Sequence, residues 1–205
     1  MWYLASLLLF AFLIARIIRN GKKDGVKTQK DFWERERAAN LVPRKSIEDL
    51  PYIKLPLSTL PLKIMEEDAK VGECVELLTS LKSQRILNLT GLTNTEIKLK
   101  YGAPNMSILS QYDENYTLLV RTLHRWANLL DEGGYTQDAR VIWEYAISIG
   151  TDIKGTYVRL FQIYQAAGEV AEIKQLVHLV KELPEPSKSA ILRKLDVEAP
   201  EDLSL

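Results

Sequence analysis

The side chains that could carry out nucleophilic, acid–base or metal chemistry are few and far apart. The 205-residue chain has two histidines, His124 and His178, and one cysteine, Cys74. No HxxxH, HExxH or paired CxxC motif occurs, and these are the spacings that bring two metal ligands together. Cys74 falls in an apolar helical pattern, which is typical of a buried structural thiol. We therefore predict no metal site and no cofactor.

Two carboxylate clusters and one glycine pair also lack a catalytic setting. Glu66-Glu67-Asp68 and Asp131-Glu132 fall at the ends of predicted helices, and the first cluster suits the positive end of a helix dipole. Gly133-Gly134 follows a predicted helix, whereas a phosphate-binding loop precedes one. We predict that the chain is not an enzyme. An enzyme of unknown type that depends on His124 or Cys74 is the least favoured alternative.

A repeat of 34 residues organises the chain between Tyr116 and Leu183. Placing Gly134 on Gly168 also aligns a series of apolar residues in pairs. These pairs are Leu123 with Tyr157, Trp126 with Leu160, Ala127 with Phe161, Leu130 with Tyr164, Ala139 with Ile173, Trp143 with Val177 and Ala146 with Val180. Each copy has two runs of apolar residues at steps of three and four, separated by a short turn that contains glycine. The sequence predicts two consecutive helical hairpins in an all-α fold.

The period, the turn glycine, the small residues Ala139 and Ala146 and the aromatic Trp143 resemble the tetratricopeptide (TPR) repeat. The resemblance covers about a third of the chain. In the second copy Ile173 and Val180 replace the small residues, which makes that copy divergent. The alternative is a plain helical bundle in which the 34-residue echo is a coincidence.

The TPR resemblance implies a concave surface lined by the first helix of each hairpin. The residues that it places there are Arg121, His124, Arg125 and Asn128 in the first copy, and Val158, Arg159, Gln162 and Gln165 in the second. Arginine binds a carboxylate through two N–H groups, so this face is a candidate site for a protein or peptide partner. The face resembles the carboxylate clamp of some TPR domains, but only Asn128 and Arg159 fit the pattern of that clamp. The alternative is an ordinary solvated helix face.

The N-terminus has the features of an uncleaved membrane anchor. Residues from Trp2 to Ala15 carry no charge, and no basic side chain precedes them, unlike in a cleaved signal peptide. Since the flanking basic residues all follow the apolar run, the positive-inside rule predicts a single span of the cell membrane with the body in the cytoplasm. A cleaved or N-in signal sequence is the alternative. The candidate contacts for anionic lipid head groups are Arg16, Arg19, Lys22 and Lys23.

The predicted organisation has six segments. They are a transmembrane anchor at 1–19, a basic flexible linker at 20–30, a short helix and extended proline-containing strap at 31–62, capping helices at 63–112, two TPR-like hairpins at 113–183, and a C-terminal tail with room for a short helix at 184–205. Prolines forbid a long helix in the strap, but its leucines are too apolar for a free linker. We therefore expect the strap to dock on the helical body, with a partner-binding strip as the alternative.

Two helix caps are also predicted. Thr93 and Glu96 have the spacing of a capping box, which predicts a short helix over about 94–101. Asp113 is a suitable N-cap for the long helix that opens the first repeat.

The amino-acid sequence is distinctive in three stretches of the chain, Asn94–Gly102, Gln111–Tyr116 and Ile149–Asp152. Together they resemble a group of small membrane-anchored proteins of clostridial-type bacteria. The resemblance extends from about Phe32 onward. It implies the same architecture and implies no activity.

The charge pattern bears on the partner. The formal net charge of the chain is zero, which argues against nucleic acid as the main partner.

From the anchor, the TPR-like repeat and the lack of a catalytic motif, we expect a membrane-anchored, cytoplasm-facing TPR-like protein-interaction module, an adaptor or scaffold without catalytic activity. The alternative is a self-associating structural membrane protein, which would form a homo-oligomer.

Overall fold

The computed structural model describes residues 29–198. In this range the chain is all-α, as predicted, with no β-strand. The α-helices are α1 (29–40), α2 (Ala69–Leu81), α3 (Asn94–Tyr101), α4 (Met106–Glu132), α5 (Thr136–Ser148), α6 (Lys154–Ala167), α7 (Val170–Glu182) and α8 (Ser187–Glu198), with 3-10 turns at Leu57–Thr59 and Ala103–Asn105.

The predicted anchor at 1–19, the candidate lipid contacts Arg16, Arg19, Lys22 and Lys23, and most of the linker lie outside the described residues. Within 29–198, no helix combines the length and the apolar character that crossing a bilayer requires.

The described chain forms two compact units. The first holds the residues up to Ser46 together with Thr93–Met106, and the second holds Ile47–Leu92 and the residues from Ser107 onward.

The first unit is built on α1 and α3. The predicted capping box is confirmed: the Thr93 side chain accepts a hydrogen bond from the Glu96 backbone N–H, and Glu96 accepts one from the Thr93 backbone N–H. The Glu36 carboxylate on α1 binds Lys98 and Thr95 on α3. These contacts and the buried Ala39 hold the second half of α1 against α3.

The end of α3 meets the loop that follows α1. Gly102 has a φ of 94°, and a Cβ there would lie 2.2 Å from the Pro43 carbonyl oxygen, so glycine is required. The amide of Asn105 donates to the carbonyl oxygens of Lys45 and Tyr101, at 2.8 Å each. The loop is thereby fixed to the helix.

In the second unit, the strap between residues 47 and 62 docks on the helices, as predicted. Leu57 and Leu60 are buried in the same apolar cluster as the helices, and Ile53 donates its backbone N–H to the Ile86 carbonyl at 2.9 Å. The strap leads into α2. The Asp68 side chain caps that helix by accepting the N–H groups of Lys70 and Val71, so α2 starts at Ala69.

The predicted N-cap role of Asp113 is wrong. Helix α4 begins at Met106, seven residues earlier, after the 3-10 turn Ala103–Asn105. The side chain of Asp113 instead accepts the backbone N–H of Leu89 at 3.0 Å. Asp113, although its residue type suits an N-cap, thus lies within α4 and holds the loop around Leu89 against that helix.

The 34-residue alignment is reproduced in the packing of α4 to α7. Both members of all the aligned apolar pairs are buried, from Leu123 with Tyr157 through Ala146 with Val180. The turn glycines Gly134 and Gly168 both have positive φ, 88° and 72°. These turns connect α4 to α5 and α6 to α7. The two copies therefore bury equivalent positions and turn at equivalent glycines.

Helix α8 adds a further layer to this stack. It packs against both α6 and α7, and its residues Ile191 and Leu195 are fully buried. The predicted C-terminal tail at 184–205 thus contains a helix that covers the apolar side of the second hairpin.

Candidate peptide-binding groove

The predicted concave face contains a short hydrogen-bonded chain that joins α4 to α6. The imidazole of His124 is half-buried, with Nδ1 3.0 Å from Thr156 Oγ1 and Nε2 3.1 Å from Asn128 Nδ2. Burial lowers the pKa of His124, because it disfavours the charged imidazolium. His124, held by Asn128 on the same helix, thus connects α4 to α6.

A glycine makes this contact possible. Gly155 lies in the first turn of α6, and a Cβ at that position would come within 2.8 Å of His124 Cε1. The absence of a side chain lets α6 approach the His124 ring closely.

The arginines on the predicted face bind carboxylates of the chain itself. Arg159 forms a bidentate pair with Asp131, with Nε to Oδ2 at 2.7 Å and Nη2 to Oδ1 at 2.9 Å. Thr136 Oγ1 also donates to Asp131, at 2.8 Å. Arg159 and Thr136 together hold the pKa of Asp131 below its usual range.

Arg125 has a different partner. Its Nη2 lies 2.7 Å from Glu73 Oε2 on α2, and both side chains are mainly exposed. Arg121 is exposed on α4. The two paired arginines thus bind two separate carboxylates, on α2 and at the end of α4.

Val158 and Gln165 are half-buried on α6. Val158 packs against the apolar core and contributes to the body of the stack.

Two of the eight predicted residues, Arg159 and Gln162, lie in one groove. The groove has a volume of about 340 Å³. It is lined by Thr136, Gln137, Arg159, Gln162, Ile163, Ala166 and Ala167. The start of α5 forms one wall, and α6 forms the other. We call this the α5–α6 groove.

Sequence reasoning did not find the apolar part of this groove. One helix face, with the spacing i, i+3, i+4, i+7, holds Arg159, Gln162, Ile163 and Ala166. This spacing is the sequence signal from which the apolar lining could have been predicted. Thr136 and Gln137 come from the preceding helix, α5, so their presence in the groove depends on how α5 and α6 pack.

The α5–α6 groove offers polar donors beside small apolar side chains. The Arg159 guanidinium uses two of its five N–H donors on Asp131, and Nη1 donates to Gln162 Oε1 at 3.3 Å. Its side chain remains 40% exposed, so donors remain accessible. Ile163, Ala166 and Ala167 supply the apolar lining. Such a surface can donate hydrogen bonds to a carbonyl or carboxylate oxygen and pack against a small apolar group beside it.

Other reactive groups lie elsewhere. Cys74 is buried in the core, and burial raises the pKa of its thiol. No group of three or more histidine, cysteine, aspartate or glutamate side chains within 29–198 could hold a metal ion.

The opposite side of α6 carries an ion-pair network. Arg140 binds Glu144 at 2.7 Å and Glu169 at 2.8 Å, and its guanidinium lies 4.8 Å from the centre of the Tyr164 ring. The Tyr164 hydroxyl donates to Glu144 at 3.0 Å. This network links α5, α6 and the turn before α7.

The comparisons with known proteins add no relative. No family model matches the chain, and neither a curated protein nor a solved structure matches it significantly.

Proposed function

We propose that the chain is a membrane-anchored adaptor whose helical body lies in the cytoplasm and binds a protein or peptide partner in the α5–α6 groove. The observation that carries this proposal is the composition of the groove. Arg159 and Gln162 present polar groups directly beside Ile163 and Ala166, in a cleft large enough for several side chains.

The repeat supports a TPR-like framework. Equivalent apolar positions are buried in both copies, and equivalent glycines make both turns. Two repeats are fewer than a free-standing solenoid needs, because the end repeats expose apolar surface. The strap and α8 supply apolar cover through the buried Leu57, Leu60, Ile191 and Leu195.

The groove favours an extended peptide with an acceptor oxygen. A carbonyl or carboxylate of the partner would accept from the remaining N–H groups of Arg159, while a small apolar side chain would pack on Ile163 and Ala166. Asp131 already neutralises much of the Arg159 charge. The groove therefore selects through shape and hydrogen bonding more than through net charge.

The anchor part of the proposal rests on the sequence. The uncharged run from Trp2 to Ala15 is followed by the basic residues Arg16, Arg19, Lys22 and Lys23. This order favours a single span with the C-terminal side in the cytoplasm, and places those basic residues at the inner head groups.

Site-specific photocrosslinking in cells tests the binding proposal. A benzophenone amino acid replaces Gln162 in the groove or, as a control, Lys174 on the exposed side of α7. We expect a discrete crosslinked product from position 162 and none of the same size from position 174. Equal labelling at the two positions would contradict a binding groove, and a product made of two copies of this chain would favour the self-associating alternative.

Labelling with a membrane-impermeant maleimide tests the orientation. In a Cys74→Ala background, Leu41→Cys introduces a thiol at a position whose side chain is 83% exposed. We expect reaction in inverted membrane vesicles and protection in intact cells. Reaction in intact cells would place the body outside the cytoplasm.

A further inference from the structure

Two adjacent aromatic side chains in the first unit are exposed. Phe32 and Trp33 on α1 are each 54% exposed, and their rings meet edge to face with centroids 5.4 Å apart. Burying such side chains is strongly favourable, so an exposed aromatic pair marks an interaction surface.

The packing of α1 within its own unit leaves this pair uncovered. The contacts of α1 with α3 begin at Arg35, which pairs with Glu96, and continue through Glu36 and the buried Ala39. Residues 29–34 are exposed at every position. The first half of α1 therefore extends beyond its contacts with α3, with Phe32 and Trp33 at its surface.

We propose that Phe32 and Trp33 insert into the interfacial layer of an anionic lipid bilayer and hold the first unit against the membrane. The inference rests on the membrane anchor of the proposed function. Tryptophan is enriched at the membrane interface because its ring is apolar and its N–H stays hydrated.

The chain that precedes α1 argues for lipid as the occupant. The uncharged run from Trp2 to Ala15 ends only 17 residues before Phe32, so an inserted anchor keeps the aromatic pair close to the bilayer. Gly21 and Gly25 lie between them in the sequence, and glycine has a low intrinsic helix propensity.

The charges around the pair suit an anionic surface. Between residues 22 and 35 the basic side chains outnumber the acidic ones, with Lys22, Lys23, Lys27, Lys30 and Arg35 against Asp24, Asp31 and Glu34. Lys30 pairs with Glu34 at 3.7 Å and Arg35 pairs with Glu96 at 3.5 Å, so the excess positive charge comes from Lys22, Lys23 and Lys27. Basic residues beside exposed aromatic ones give the combined electrostatic and apolar attraction of an interfacial helix.

Depth-dependent fluorescence quenching of the full chain in liposomes tests this inference. In a Cys74→Ala background, an environment-sensitive NBD probe is attached at Gln29→Cys, one turn before the aromatic pair, or at Leu41→Cys as an exposed control in the same unit. The liposomes contain phosphatidylglycerol and phosphatidylcholine, with a nitroxide quencher on the lipid near the head group. Flotation at neutral and at alkaline pH is measured in parallel.

We expect lipid quenching at position 29 to exceed that at position 41 at least twofold. Replacing both aromatic residues, as Phe32→Ala with Trp33→Ala, should remove the difference, whereas Leu41→Ala with the probe at position 29 should not.

Equal quenching at the two positions, or quenching that survives the double replacement, would overturn the inference. A blue-shifted probe at position 29 without lipid quenching would also overturn it, because it would show a protein contact or a second copy. Flotation at both pH values with equal quenching would defeat the inference and leave the anchor intact. Flotation lost only at alkaline pH, with strong quenching at position 29, would defeat the transmembrane anchor and support the interfacial contact.

Discussion

The guanidinium of Arg159 on α6 binds the carboxylate of Asp131, near the end of α4, through two parallel hydrogen bonds of 2.7 and 2.9 Å. The two residues lie in successive repeats, and Arg159 lines the α5–α6 groove. Bidentate pairing fixes the plane of the guanidinium, and therefore the direction of its remaining N–H donors. The pair thus connects the stacking of the repeats to the geometry of the groove.

A double-mutant cycle on this pair should show a measurable coupling. We expect Asp131→Asn and Arg159→Gln to couple by about 0.5–1 kcal/mol in the free energy of unfolding, because the pair is bidentate but Arg159 is partly exposed. The matched control is Glu73→Gln with Arg125→Gln, a pair of exposed side chains with an equally short contact of 2.7 Å. Urea unfolding measures both cycles. A coupling no larger for Asp131 and Arg159 than for the control would contradict their role in connecting the repeats.

His124 should make the stability of the body depend on pH. Its pKa is lowered in the folded state, so the unfolded chain binds a proton that the folded chain does not. Stability should therefore fall as the pH drops through the ordinary histidine pKa of about 6.5, and should stop falling below the folded-state pKa.

Substitution of each histidine separates this effect from others. We expect His124→Gln to flatten the slope of unfolding free energy between about pH 7.5 and 5.5. His178→Gln is the control, since His178 is exposed on α7 and pairs only at 3.6 Å with Glu182. If the two variants keep the same slope as the native chain, the half-buried imidazole of His124 is not the source of that slope.

Two helical glycines should respond to alanine in opposite directions. Gly72 in α2 has open space around a new Cβ, so Gly72→Ala should raise the free energy of unfolding by about 0.5–1 kcal/mol. Gly155→Ala would force the His124 ring to move, and should lower it by about 1–3 kcal/mol. Thermal and urea unfolding measure both changes. Stabilisation by both substitutions would show that α4 and α6 do not approach closely at His124.

Local features of the fold could be predicted from the sequence, while pairings between distant residues could not. The capping box of Thr93 and Glu96 is contained within four residues, and the burial of Trp126 and Trp143 follows from helical spacing. The N-cap role predicted for Asp113 is wrong because the partner of its side chain, the N–H of Leu89, lies 24 residues away. Local propensity carries no information about such a contact.

In the candidate site, too, local features could be predicted from the sequence and contacts between distant residues could not. Arg159 and Gln162 could be placed on one helix face by their spacing alone. That Arg159 would bind Asp131, 28 residues earlier, could not be predicted, because the packing of α6 against the end of α4 decides it. The wall formed by Thr136 and Gln137 depends on packing in the same way.

The central claim is that the α5–α6 groove binds the partner, and a matched pair of substitutions tests it most directly. Ala166 and Ala171 are both exposed alanines on helices, but only Ala166 lines the groove. The measurement is the affinity of the full-length chain, carrying Ala166→Arg or Ala171→Arg, for the protein trapped from position 162. We predict that Ala166→Arg weakens binding at least tenfold, because its side chain fills the cleft, and that Ala171→Arg leaves binding unchanged. Equal affinities for the two variants would contradict the claim.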